Sequence, residues 1–292
     1  MNKIRKVVIP VAGFGTRFYP ITKSISKEML PIIDVPTIQI LIGEALKAGI
    51  EEIIIVNNKE KKLVNHYFSR DDDLNRRLLE MEKEKAVKQL EELEHIAKIT
   101  YVYQEGAKGL GLAVFCAKEA VGNEAFAVML GDDIMINREG KPVIGQLIDQ
   151  YYKTGKSIVA SQIVKDEDVS KYGIVDPKKI DGRLVEMGAV KEKPSLEEAK
   201  SRIACLGCYV LTPKIFEMIE TQEKGIGGEV QLTDAIGRLI PEEGVYAYEF
   251  EGKRFDVGDK FGYITAIVDF ALHDERFKDK LEDYLNNLKK ER

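Results

Sequence analysis

The residues best equipped for chemistry stand at the ends of short apolar runs. Residues 7–11, Val-Val-Ile-Pro-Val, lead into Ala12-Gly13-Phe14-Gly15-Thr16-Arg17-Phe18. A glycine pair after a buried strand lets backbone N–H groups approach a phosphate, while Thr16 adds a hydroxyl and Arg17 a forked cation. The spacing invites comparison with the dinucleotide fingerprint G-x-G-x-x-G, but Phe18 occupies the third glycine position. Taken alone, the glycine pair serves equally as a bare strand-to-helix turn. Ten residues past Arg17, Lys27 lies in Ser26-Lys27-Glu28-Met29-Leu30-Pro31, where it can present a point charge to a phosphate or simply be solvated.

The acidic candidates have the same setting. Asp132-Asp133 follows the apolar run 125–130, and Asp256 lies in Phe255-Asp256-Val257-Gly258. Their carboxylates are hard oxygen ligands suited to Mg²⁺, and the end of a strand is where open α/β sheets bind ligands. Each also suits an ordinary acidic turn, so the argument lies in their joint occurrence with the glycine loop. Two other patterns carry no chemistry. Gly155-Lys156-Ser157 resembles the end of a P-loop, but the required earlier glycine is Gln150. Cys205-x-x-Cys208 sits inside the apolar run 203–211 without a second Cys/His pair, which points to core packing.

Strands must deliver these residues, and the hydrophobic pattern predicts them at 7–11, 53–56, 99–103, 125–130, 157–164, 203–211 and 245–250. Helical spacing predicts helices at 36–47, 110–120, 214–220, 231–240 and 260–272, with Gly49 as a C-cap. Residues 72–98 are rich in Glu, Lys and Arg yet carry Leu74, Leu78, Met81, Leu90 and Leu93 on one stripe, which predicts an amphipathic helical insertion. Strands alternating with helices give an α/β fold. With no repeat and no long Pro/Gly/Ser linker, residues 1–292 are expected to form one domain, a core to about 273 and a helical tail over 274–292.

Composition narrows the function further. The chain has 292 residues, 44% of them hydrophobic, and its 44 Lys+Arg against 49 Asp+Glu leave a net charge of −5. No basic excess exists to support nucleic-acid binding, so any phosphate must be met locally. The first apolar run is too short for a signal sequence or a membrane span, and three cysteines make no disulfide framework, so a cytoplasmic protein without membrane contact is expected.

Together the motifs resemble the sugar-phosphate nucleotidyltransferases, and most closely their bacterial UTP:glucose-1-phosphate uridylyltransferase branch. The resemblance is carried by Val11-Ala12-Gly13-x-Gly15-Thr16-Arg17, Lys27-Glu28-Met29-Leu30-Pro31, Gln104-x-x-x-Lys108-Gly109-Leu110-Gly111, Glu192-Lys193-Pro194, the run 229–236 and Asp256-Val257-Gly258-Asp259-Lys260. It implies a Rossmann-like, mostly parallel central sheet flanked by helices, with UTP and glucose 1-phosphate as substrates, Mg²⁺ as cofactor and a homodimer or homotetramer as assembly. It implies that Ala12, Gly13, Glu28, Gln104 and Gly109 hold the uridine and that Gly15, Thr16, Arg17 and Lys27 hold the phosphates. Asp132 and Asp256 would bind the metal, with Asp132 also on the nucleotide, and Gly173, Glu192 and Lys193 would hold glucose 1-phosphate. The catalytic set is then Arg17, Lys27, Asp132, Lys193 and Asp256.

His66, His95 and His273 lie in polar helical contexts away from these motifs. That fits a transfer whose attacking phosphate is already ionised and needs alignment and charge neutralisation instead of a base. Two positions depart from the family pattern: Gly131, where proline is frequent, and Cys208, where arginine is expected. A dTTP- or CTP-dependent enzyme and a catalytically silent nucleotide-sugar-binding paralogue are the alternatives; Phe18 disfavours a dinucleotide-binding oxidoreductase.

Overall fold

The computed structural model describes residues 3–105, 109–225 and 228–290. Met1 and the Lys108 of the Gln104 motif lie outside the described residues. The strands are β1 (Lys6–Pro10), β2 (Pro31–Ile32), β3 (Val35–Pro36), β4 (Glu52–Asn57), β5 (Lys98–Tyr103), β6 (Phe126–Met129), β7 (Asp133–Ile136), β8 (Ser157–Ile163), β9 (Gly173–Asp181), β10 (Leu184–Glu192), β11 (Ile203–Leu211), β12 (Val245–Glu249) and β13 (Lys253–Asp256).

A nine-stranded sheet runs in the order β5-β4-β1-β6-β11-β8-β12-β10-β9. β5, β4, β1 and β6 are parallel, as are β8 and β12, while β11 and β10 run against their neighbours. β9 also pairs with β11 through Gly173 and Cys205, which folds the far edge of the sheet back toward its middle. The expected mostly parallel sheet is therefore present, with two reversed strands inside it.

Alternation along the strands feeds two cores. Val7 and Ile9 of β1 face a cluster with Ile38, Leu41 and Ile42 of the helix Thr37–Lys47, whereas Val8 faces Val114 and Phe126 on the other side. A strand whose residues are apolar on both faces can do this only in the interior of a layered α/β sheet. Helix Thr37–Lys47 ends at Ala48, and Gly49 takes a left-handed turn (φ 87°) to enter β4. The second face is covered by the helices Leu110–Cys116, Lys214–Glu220 and Leu232–Glu243.

Several expectations are refined. The 72–98 insertion folds as two helices, Asp72–Glu80 and Glu84–Glu94, broken at Glu82 with φ 55°; the Asp71 side chain caps the first by accepting from Leu74 N at 2.9 Å. The 110–120 helix is split into Leu110–Cys116 and Lys118–Val121. The tail forms the helix Lys278–Lys290, preceded by an Arg276–Asp34 ion pair at 2.6 Å. Cys205 and Cys208 are buried in β11, where burial pushes the Cys205 thiol up to about 12, and Gly155 caps a helix in the left-handed conformation.

Features not anticipated from the pattern include the β9–β10 hairpin, the β7–β13 ladder and the helix Val143–Thr154, whose Ile144 and Leu147 enter the first core. Leu147 is fully buried there. Leu147→Ala is expected to lower stability by about 2–5 kcal/mol, read as a shift in the urea midpoint with an unchanged m-value.

Candidate active site

The site begins where β1 ends. Gly15 is left-handed (φ 63°), and Thr22 fixes it by donating its hydroxyl to the Gly15 carbonyl at 2.8 Å. A Cβ at Gly15 would also stand close to Thr22 and Lys27, at 3.1 and 3.2 Å, so the tight space adds to the preference for glycine that the left-handed backbone sets. Thr16 and Arg17 follow in the short turn Thr16–Phe18.

From the loop after β4, Lys61 reaches back and donates to the carbonyls of Val11, at 3.0 Å, and Gly13. It thereby clamps the chain on either side of Ala12. The same ammonium lies 3.6 Å from Glu28 Oε2, and Lys27 lies 3.9 Å from Oε1. Glu28 is fully buried, and among the described residues neither of its carboxylate oxygens has a hydrogen-bond partner. Burial pushes its carboxyl up to about 7, against the pull of Lys61 and Lys27. The departure at Gly131 is also local to this pocket: a Cβ there would stand 3.0 Å from both Glu28 Cγ and the Pro10 carbonyl.

Asp132 stands between β6 and β7. Lys27 Nζ donates to its Oδ2 at 2.5 Å, and Arg17 is 3.9 Å away. Burial works to raise the Asp132 carboxyl, but Lys27 and Arg17 hold it below the usual aspartate value. β13 pairs antiparallel with β7, setting Asp256 opposite Asp133, and Val257 N donates to the Asp132 carbonyl at 2.9 Å. The turn that follows brings Gly258 between the acids: a Cβ on it would lie 2.5 Å from Asp132 Oδ2 and 3.1 Å from Asp256 Oδ1. The missing side chain leaves room beside two hard oxygens. That pair fits a cation such as Mg²⁺, which takes one or two protein carboxylates and completes its shell with phosphate and water. Among the described residues no group of three or more His, Cys, Asp or Glu forms a self-sufficient metal site.

A second cluster gathers Gly173, Glu192 and Lys193. Gly173 is the register partner of Glu192, and a Cβ on it would stand 3.3 Å from Glu192 Oε2 and 2.7 Å from Thr233 Cγ2. Lys193 Nζ is 3.6 Å from Glu192 Oε1, and Lys193 has a left-handed backbone with φ 45°. Gln104 and Gly109 flank the undescribed residues 106–108; Gln104 N donates to the Asn57 carbonyl at 2.9 Å, and Gly109 packs on Val230 with φ 115°. Ala12 and Gln104 leave parallel strands β1 and β5, separated by β4, and so lie on one edge of the sheet. Cys208 is core, opposite Met129 of β6.

Sequence reasoning passed over Lys61 and Thr233. Lys61 sits among Lys59, Glu60 and Lys62, where nothing in residue type separates a clamp from a solvated lysine; Thr233 lies inside the 229–236 motif without a role attached.

A glycine loop with cations, two carboxylates at facing strand ends and a separate Glu-Lys corner define a phosphate-transferring α/β enzyme. The chain belongs to the nucleotidyl transferase family, whose model matches residues 6–272. It is 46% identical over 288 residues to the UTP–glucose-1-phosphate uridylyltransferase of Bacillus subtilis (strain 168), covering 99% of this chain and 98% of that one. It is equally 46% identical to a UTP–glucose-1-phosphate uridylyltransferase 2 of Staphylococcus saprophyticus, with 99% of both chains covered. Among solved structures, a UDP-glucose pyrophosphorylase complexed with UDP-glucose superposes with a TM-score of 0.85 at 39% identity, over 93% of this chain and all of that one. The UTP-bound enzyme from Acinetobacter baumannii gives 0.88 at 35% identity, over 98% of this chain and all of that one.

Two outcomes follow from the geometry. Gly258→Ala should push one carboxylate aside and lower turnover at least about tenfold, with the far-UV spectrum unchanged; wild-type rates would mean the space is not used. Glu28 favours the protonated form when folded, so its contribution is complete at low pH and lost as pH rises through about 7. Glu28→Gln, which mimics the protonated form, should gain stability over the wild type between pH 5 and pH 8, by on the order of 3 kcal/mol at the upper end, read from paired urea melts.

Proposed function

We propose that the chain is a UTP:glucose-1-phosphate uridylyltransferase that forms UDP-glucose and pyrophosphate with Mg²⁺. The observation that carries this reading is the meeting of Arg17, Lys27, Asp132 and the turn after Asp256 at the mouth of the glycine loop. Ala12, Gly13, Glu28, Gln104 and Gly109 hold the uridine. Gly15 and Thr16 supply backbone and hydroxyl donors to the triphosphate, with Arg17 and Lys27 as its cations. Gly173, Glu192 and Lys193 take glucose 1-phosphate, Glu192 accepting from sugar hydroxyls and Lys193 meeting the phosphate.

The reaction needs alignment more than proton transfer. An oxygen of the sugar phosphate attacks the α-phosphorus of UTP, a new P–O bond forms, and the bond to the β-phosphate breaks to release pyrophosphate. The nucleophile is ionised at neutral pH, so no side chain has to deprotonate it. Lys193 neutralises the incoming phosphate and aims it, and Lys27 and Arg17 offset the charge on the triphosphate. Asp132 and Asp256 would hold Mg²⁺, which when bound supplies a Lewis acid for the phosphate oxygens.

We place the enzyme in the cytoplasm, in keeping with its three free cysteines, as a single catalytic unit over 1–292 with a helical tail, assembled as a homodimer or homotetramer. The decisive experiment is pyrophosphate release across four NTPs and several sugar 1-phosphates, with and without Mg²⁺. Product is expected with UTP and glucose 1-phosphate only when Mg²⁺ is present, and Asp132→Ala or Asp256→Ala should cut it by about 100-fold or more. Preference for dTTP or CTP would overturn the nucleotide assignment, and nucleotide-sugar binding without turnover would make the chain a silent paralogue.

A further inference from the structure

Asp133 has no task in the reaction above, yet both of its oxygens are engaged. Arg254 Nε donates to Oδ1 at 2.7 Å, and Gly207 N donates to Oδ2 at 3.0 Å. Gly207 has to be glycine for this, since a Cβ there would stand 2.7 Å from the same oxygen. Arg254 uses its fork a second time: Nη1 donates to the Tyr172 hydroxyl at 2.9 Å while the guanidinium lies 5.0 Å from the centre of the Tyr172 ring. Arginine can serve both partners because its donors are fixed in one plane; a lysine ammonium cannot hold that geometry.

Tyr172 carries the connection onward through its backbone. Its carbonyl accepts from Lys193 N at 3.0 Å, at the residue whose φ of 45° is uncommon for a side-chain-bearing residue and lies outside the extended conformation favoured before proline. The next residue, Gly173, pairs with Glu192 on one side and Cys205 on the other. A continuous line therefore runs from Asp132 and Asp133 through Arg254 and Tyr172 to the Lys193 corner.

We propose that Arg254 and Tyr172 are positioning residues that fix the glucose 1-phosphate corner at Lys193 relative to the Asp132–Asp256 carboxylates, with the Tyr172 hydroxyl as the joint. The inference rests on the assignment of Gly173, Glu192 and Lys193 to the sugar phosphate. In-line transfer penalises ångström-scale misplacement of the attacking group, so a loosened joint acts on the second substrate and on the chemical step and leaves the nucleotide half alone.

Tyr172→Phe is the clean test, because it keeps the ring under Arg254 and the backbone carbonyl on Lys193 and removes only the hydroxyl. The expected result is a rise of about fivefold in KM for glucose 1-phosphate, the equivalent of one hydrogen bond, together with a fall in kcat. The dissociation constant for UTP should stay within about twofold of wild type, the thermal midpoint within a few degrees. Equal losses on both substrates, or unchanged kinetics, overturn the bridge. Lys193→Ala, measured alongside, separates the two levels of the argument. If it impairs glucose 1-phosphate selectively while Tyr172→Phe behaves as wild type, the bridge alone fails; if neither variant changes glucose 1-phosphate kinetics, the assignment of the corner fails with it.

Discussion

Two neighbouring carboxylates at the start of β7, Asp132 and Asp133, each have a cation of their own, and much of the surrounding structure follows from that requirement. Consecutive side chains near a strand point to opposite sides, so Asp132 meets Lys27 while Asp133 turns inward to Arg254 and Gly207. Leaving either acid buried without a partner would cost several kcal/mol. Lys27 must therefore sit in a turn close over the end of β6, and β13 must pair with β7 to deliver Arg254. That same pairing sets Asp256 opposite Asp133, and the turn after it brings Gly258 against the carboxylates of both Asp132 and Asp256, so the strand that carries the partner of one aspartate also brings in the companion of the other.

The glycine-loop side of the site shows the same use of buried charge. Glu28 is buried between Lys61 and Lys27 without a hydrogen bond of its own among the described residues, and its carboxyl is pushed up toward neutrality. Lys61 donates to the Val11 and Gly13 carbonyls, which holds the glycine loop in one shape. Strand order places this clamp close by: β4, which precedes Lys61, lies directly beside β1, which precedes the loop.

The parallel half of the fold was legible because its strands are unbroken apolar runs and its helices have clear stripes. β1, β4, β5, β6, β8 and β12 all fall where the pattern puts them, within a residue or two, as does the reversed β11. The hairpin β9–β10 was not legible: Asp176, Lys178, Lys179 and Asp181 leave no apolar run, because the outer part of the hairpin is exposed and polar on both faces. β7 and β13 are four residues each, too short for periodicity, and they pair across more than a hundred positions of sequence. At the site, motifs announced Gly15, Arg17, Lys27, Asp132 and Asp256. Lys61, Arg254 and Tyr172 act through contacts that only tertiary folding creates, and an isolated lysine, arginine or tyrosine carries no signal of such a contact.

The Lys27–Asp132 pair also bears on how the proposed reaction is organised. At 2.5 Å the ammonium is committed to a carboxylate, yet in the proposed function it must meet a phosphate. A triphosphate entering beside Arg17 competes with Asp132 for the same cation, and Asp132, largely shut off from solvent, cannot be left uncompensated. Asp132 and Asp256 would together hold a divalent ion, whose charge would compensate the acid and leave Lys27 available to the nucleotide. Nucleotide and metal are then expected to bind interdependently, each lowering the cost of admitting the other. In the proposed reaction Asp132 would thus do more than supply an oxygen ligand: by holding Lys27 in place beforehand, it would keep a partly buried cation poised for the charge of the triphosphate.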